Sequence, residues 1–209
     1  MGSACNFASD GEDRTNTTMK TARTIAFVLT GLAAPAGAQT ADDLLADSRA
    51  VSAQLVQQLG ARLKQEMARG GPAGAIDVCS EIAPAIAGQL SRQSGARVAR
   101  VSLKTRNPLL GTPDRWEQAV LADFDRRAAA GEKPEGLEHS ETVTEPQGRY
   151  FRFMKAIPVQ PLCLACHGTD ATIAPEVAQL LEREYPHDRA RGYTVGQIRG
   201  AVTVKRPLD

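Results

Sequence analysis

An α+β domain built on an antiparallel sheet is the fold class this sequence predicts. Two observations carry it. Apolar residues recur every three to four positions through the first half of the chain, and alternate along segments of the second half. Helices therefore come first and strands later, and the later strands are joined by a hairpin turn rather than by crossover helices. The composition agrees: 42% hydrophobic and 23% charged residues in 209 is the balance of a soluble globular chain, not of a disordered one. No repeat or low-complexity linker divides it.

The first segment reads as an address. Met19-Lys-Thr-Ala-Arg23 is basic, Ile25 to Ala34 is apolar, and Ala36-Gly-Ala38 has the small-x-small form of a cleavage site. The apolar run falls well short of the ~20 residues that span a bilayer, so a secretory leader over 19–38, cleaved after Ala38, is expected; an uncleaved anchor is the alternative. The polar stretch 1–18 does not belong to such a leader and reads as an extension upstream of a true start at Met19. A single exported domain over 39–209 remains, of periplasmic destination.

Each later element has its own signal. Leu44, Leu45, Val51, Leu55, Val56, Leu59 and Leu63 mark a helix over 41–69, with Asp42 and Asp43 in its first turn and Gly70-Gly71-Pro72 as its stop. A second helix over 75–90 presents Ala75, Ile76, Cys79, Ile82, Ala83, Ile86 and Leu90 on one face, with Pro84 inside it as a source of a kink. Arg97 to Lys104 alternates as a strand, and Thr105 to Pro108 turns the chain. Pro113-Asp114 opens a third helix through Trp116, Val120, Leu121 and Phe124, ending before Gly131. Leu137–Thr144 and Arg149–Val159 form a hairpin about Glu145-Pro-Gln-Gly148. A short helix over 175–184, an irregular loop over 185–196 and a last strand over 197–204 complete the chain.

Charge and composition exclude some functions. With 25 basic against 24 acidic residues and a net charge of +1, the chain carries no nucleic-acid footprint. It shows no carboxylate pair, nucleophile elbow or P-loop, so no enzyme is expected. Aromatic residues are only 4%, which leaves room for a core completed by something other than protein.

The chemistry concentrates in Pro161-Leu-Cys-Leu-Ala-Cys-His-Gly168. Of four cysteines, Cys5 is lost with the leader and Cys79, Cys163 and Cys166 remain, an odd number for an exported chain, which normally pairs its thiols. Cys-x-x-Cys-His suits covalent attachment of one haem c: two thiols add to the vinyl groups and His167 lies under the iron. Three other readings stand beside it. Cys79, Cys163, Cys166 and His167 have the ligand count of a structural zinc site, but zinc motifs generally separate the histidine from the cysteine pair. A thioredoxin-like dithiol needs a βαβ setting that is missing. A plain disulfide is the fourth. A haem iron would need a second axial ligand or an open place, and Cys79, His139, His187, Met67 and Met154 are the candidates. Read alone, Cys79 serves equally as ligand or as small buried hydrophobe.

The chain also carries Asp77-Val-Cys79-Ser-Glu-Ile-Ala-Pro84, Ser102-Leu-Lys-Thr-Arg-Asn-Pro108, Pro113-Asp-Arg-Trp-Glu117, Tyr150-Phe-Arg-Phe153, Tyr185-Pro-His-Asp-Arg-Ala190 and Gly196-Gln-Ile-Arg-Gly-Ala201, in that order around the Cys-x-x-Cys-His. In these blocks, over about residues 45–205, it resembles the exported single-haem c-type proteins with a PAS-like fold, which also occur as the sensing modules of some receptors. The resemblance implies a PAS-like sheet and an iron held by His167 and Cys79. A thiolate ligand favours Fe(III) and a low potential. Arg106 with Asn107, or Arg199, is then a candidate for the haem propionates. A redox or small-gas sensor that signals to a separate partner protein is the function expected; a low-potential electron carrier is the first alternative and a zinc-stapled binding module the second.

Overall fold

The structure is a computed structural model and describes residues 39–208. The leader and the upstream extension expected over 1–38 lie outside the described residues.

Helix α1 (Ala41–Gly74) begins at Thr40, whose hydroxyl accepts from the Asp43 N–H while the Asp43 carboxylate accepts from the Thr40 N–H. That reciprocal pair satisfies donors that a helix start leaves open. Leu44, Ser48, Val51, Ser52 and Leu55 are buried, but Val56, expected on the same face, is exposed. It sits one residue beyond Leu55, about 100° further round the helix, and so leaves the buried stripe. The expected stop is a break: Gly71 has φ 64°, and one more turn follows.

The second helix is two pieces. Val78–Ile82 winds as a π-helix and α2 (Ala83–Ser94) continues as α-helix to a left-handed cap at Gly95. Pro84 falls in the first turn of α2 rather than kinking one continuous helix. Its ring would press on the carbonyl four residues back, and the wider π turn lies where that conflict would arise.

Strand β1 (Arg97–Val101) stops short of Lys104. At Ser102 the backbone N–H turns to the Gly111 carbonyl, and the hydroxyl lies against the Lys104 and Arg199 carbonyls. Asn107 caps a single helical turn, α3 (Pro108–Gly111), where a turn alone was expected. Helix α4 (Arg115–Ala129) is opened by a second reciprocal cap, Asp114 with Glu117. Strands β2 (Glu138–Glu145) and β3 (Gly148–Pro158) form the expected hairpin. Then come α5 (Leu164–His167), α6 (Pro175–Glu184) and β4 (Ile198–Pro207), which runs past the expected end at Val204.

All pairings are antiparallel and the sheet order is β1-β4-β3-β2, so the last strand returns to lie between β1 and β3. This is the expected α+β class. Side chains alternate across the sheet. Val98, Phe151, Phe153, Val202 and Val204 meet α1 and α2, whereas Val101, Met154, Ala156 and Ala201 meet α4. On the α4 side, Arg152 is buried against Asp114, Glu117 and Glu145, and Thr203 donates to Glu117. Removing one partner of such a buried set costs on the order of 3–5 kcal/mol. A third cluster, Ile76 with Ile173, Val177, Leu181 and Tyr185, ties the start of the second helix to α6 and has Cys166 packed against it.

Candidate functional site

The motif stands on a tight turn at the end of β3. Val159 donates to the Gln197 carbonyl and accepts from Gly196, which ties the exit of β3 to the entry of β4. Pro161 then opens a 3-10 turn over Pro161–Cys163 that runs straight into α5. Cys163 and Cys166, three apart on this winding, share a face. The described cysteines, Cys79, Cys163 and Cys166, are all free and partly buried. Burial pushes the Cys166 thiol up, against the opposing pull of Arg106.

His167 ends α5. Its Nδ1 lies 2.7 Å from the Ala190 carbonyl oxygen. A carbonyl can only accept, so Nδ1 carries the proton and Nε2 bears the lone pair. Burial, then the charges of Arg199 and Arg106, hold the ring well below the usual histidine range, so it is neutral at neutral pH. The backbone fixes it from both sides: Tyr193 donates to the His167 carbonyl and Gly192 to the Gly168 carbonyl. A Cβ on Gly168 would sit 2.6 Å from the Leu164 carbonyl oxygen, so the chain can leave α5 this closely only with glycine there.

Three arginines surround the ring. Arg106 is buried, with Nε 3.2 Å from Asp188 and a terminal nitrogen donating to the Cys166 carbonyl. Arg199 approaches His167 Nε2 at 3.4 Å and donates to Ser102 Oγ at 3.0 Å. Arg100 comes from β1, and burial lowers its pKa. Cys79, on the π-helix, lies within electrostatic reach of Cys166, Arg100, Arg199 and Tyr185. The structure thus brings together Cys79, Cys163, Cys166, His167 and Arg106.

The other axial candidates stand apart. His139 is half-buried on β2 beside Glu141 and Trp116, and His187 is exposed. Met154 is buried on the α4 side of the sheet. Met67 lies on the part of α1 beyond its last buried residue, Leu55. Among the described residues no three His, Cys, Asp or Glu side chains gather as ligands for a bare metal ion. Sequence reasoning missed Arg100, Asp188 and the Ala190 carbonyl. An arginine two residues from Val98 on an alternating strand was the available signal for Arg100. The other two lie inside the quoted block 185–190 but reveal their partners only in space.

Fold and site together define a small α+β protein whose Cys-x-x-Cys-His turn is packed beside a helix bearing a third cysteine. The chain belongs to the Tll0287-like family, whose model matches residues 14–207. It is similar in structure to the cyanobacterial heme-protein Tll0287, with a TM-score of 0.62 at 25% identity, over 81% of this chain and 97% of that one. No curated protein matches it.

Proposed function

We propose that this protein is an exported c-type haem protein, with Cys163 and Cys166 attached to one haem and His167 and Cys79 as the axial ligands of its iron. The observation that carries the reading is the His167 Nδ1–Ala190 contact, which leaves Nε2 as a neutral, oriented donor. Three free cysteines supply the two thioethers and the thiolate that such a group takes. The residues fit with one adjustment: the Arg199 guanidinium must withdraw from Nε2. The heme-protein described for the structural relative supports the same reading. Bound here, haem would supply a one-electron change at iron, biased toward Fe(III) by a thiolate ligand.

A redox or small-gas sensor is the role we favour, with a separate protein as the receiver of its signal. Its support is the seat of Cys79. A π-helix is a rare, functionally enriched winding, and rewinding Val78–Ile82 as α-helix would swing Cys79 relative to Ile76 and Ala83. An electron carrier has no use for such a hinge and would keep its ligands on reduction.

Protein exported from cells that carry the haem-maturation system should be red and should gain one haem mass that survives acid-acetone extraction. A colourless product with stoichiometric zinc rejects the reading. Oxidised and reduced visible spectra then separate the roles: a change of ligand set on reduction supports the sensor, and an unchanged set supports the carrier.

A further inference from the structure

Away from His167, the buried Arg152 is answered by carboxylates, Asp114, Glu117 and Glu145. Around His167 the balance fails. Of three converging guanidiniums, only Arg106 has a carboxylate, Asp188. Arg106 is further engaged by the Cys166 carbonyl, so it braces the attachment turn against the 185–190 segment. Arg100 and Arg199 have no carboxylate partner among the described residues, and Arg199 lies within electrostatic reach of both Arg106 and Arg100. Arg199 donates to neutral groups, His167 Nε2, Ser102 Oγ and the Lys104 carbonyl, and lies over the Tyr193 ring.

The fold goes out of its way to place this pair. Ile157 pairs with Gly200 and Pro158 with Ile198, so Arg199 is the extra residue of a β-bulge. A bulge turns a side chain away from the strand's alternation, and here it aims Arg199 at His167. Arg100 projects from the neighbouring strand on the same face as Val98, toward the helix that carries Cys79. Two half-buried cations without a carboxylate carry a desolvation cost that an anion meeting both would offset.

We infer that Arg100 and Arg199 form a two-pronged carboxylate site, one guanidinium for each propionate of the haem held by Cys163 and Cys166. The inference rests on the haem reading above and adds to it the residues that seat the cofactor's acidic edge. Two unanswered cations meet two carboxylates, and the planar forked donors of arginine suit such partners. Arg199 then has a destination when it withdraws from Nε2.

The test uses covalently loaded protein with Arg100→Gln and Arg199→Gln, and the conservative Arg100→Lys and Arg199→Lys. Haem mass is measured first: a parent without covalent haem sinks the haem reading, and is told apart before this site is probed. Covalent attachment needs neither arginine, so every variant should keep one haem mass. The propionate-bending bands in the resonance Raman spectrum should shift in both glutamine variants. The midpoint potential should fall, because a cation beside the iron has been removed, and should become pH-dependent near neutrality. The lysine variants should restore the potential while leaving the bands displaced, since an ammonium cannot fork. If a glutamine variant does not fold, the lysine variant's bands decide the matter. Propionate bands identical to the parent's in the variants of both positions overturn the inference, even if the potential moves, because the arginines then act only through their field. So does a parent whose spectrum responds to added acetate through Arg100 and Arg199 while those bands stay fixed, which would make this a site for free carboxylates.

Discussion

Cys79 is the residue on which the two roles part. Among the described residues it is the cysteine outside the Cys-x-x-Cys-His motif, and it lies within electrostatic reach of Cys166 and Arg100. A buried thiol beside Fe(III) is driven to its thiolate because the metal's charge offsets the burial of an anion. On the proposed attachment, Cys79→Ala should keep the haem, since His167, Cys163 and Cys166 are unchanged. Its ferric spectrum should move from low-spin toward high-spin, and its midpoint potential should rise because an electron-rich donor has gone. The sign is opposite to that expected for Arg100→Gln. A variant with the parent's ferric spectrum and potential would reduce Cys79 to core packing, advance the electron-carrier role, and make His187 the next ligand to examine.

At the scale of elements, the bulge at the start of β4 carries the site. Gly200 has φ 158°, and a Cβ there would lie 2.4 Å from the Val101 carbonyl oxygen, on the backbone of β1. A backbone atom cannot step aside as a flexible side chain can. Gly200→Ala should therefore destabilise the fold by about 1–3 kcal/mol, the usual cost of overpacking, and urea unfolding measures it. The same change forces β1 and β4 apart where Arg100 and Arg199 must converge. Its Raman propionate bands should broaden even at low temperature, where the protein is fully folded. A Gly200→Ala protein with the parent's unfolding midpoint would show that the bulge is not under this constraint. Helix α4 supports the same strands from the other face through Glu117, which holds Arg152 and Thr203 at once.

For the whole molecule, the placement of α1 bears on export. Its capping residue, Thr40, stands two residues after the proposed cleavage site at Ala38. Cutting there would leave a short lead into a helix that caps itself, with Leu44, Val51 and Leu55 already packed on the sheet. We propose that the exported chain begins at Gln39. Intact mass of the periplasmic product checks it; a product retaining residues 19–38 would indicate a membrane anchor instead.

Local chemistry was legible along the chain, and distant meetings were not. The Cys-x-x-Cys-His turn is contiguous, so its spacing alone placed Cys163, Cys166 and His167 on one winding. The caps at Thr40 and Asp114, the hairpin about Pro146-Gln147 and helix α6 are likewise set by a few neighbouring residues. The π turn around Cys79 escaped a periodicity reading, because its five residues are too short a window to tell a wider repeat from the α-helical one. Arg106 could be singled out by type, but not its engagement by Asp188, which lies 82 residues away. Arg100 and Arg199 both come within reach of His167 only because β4 returns between β1 and β3 and bulges at one position. Sequence specifies a side chain's chemistry and its neighbours along the chain; which charges share a buried space is decided when strands far apart in sequence close against one another.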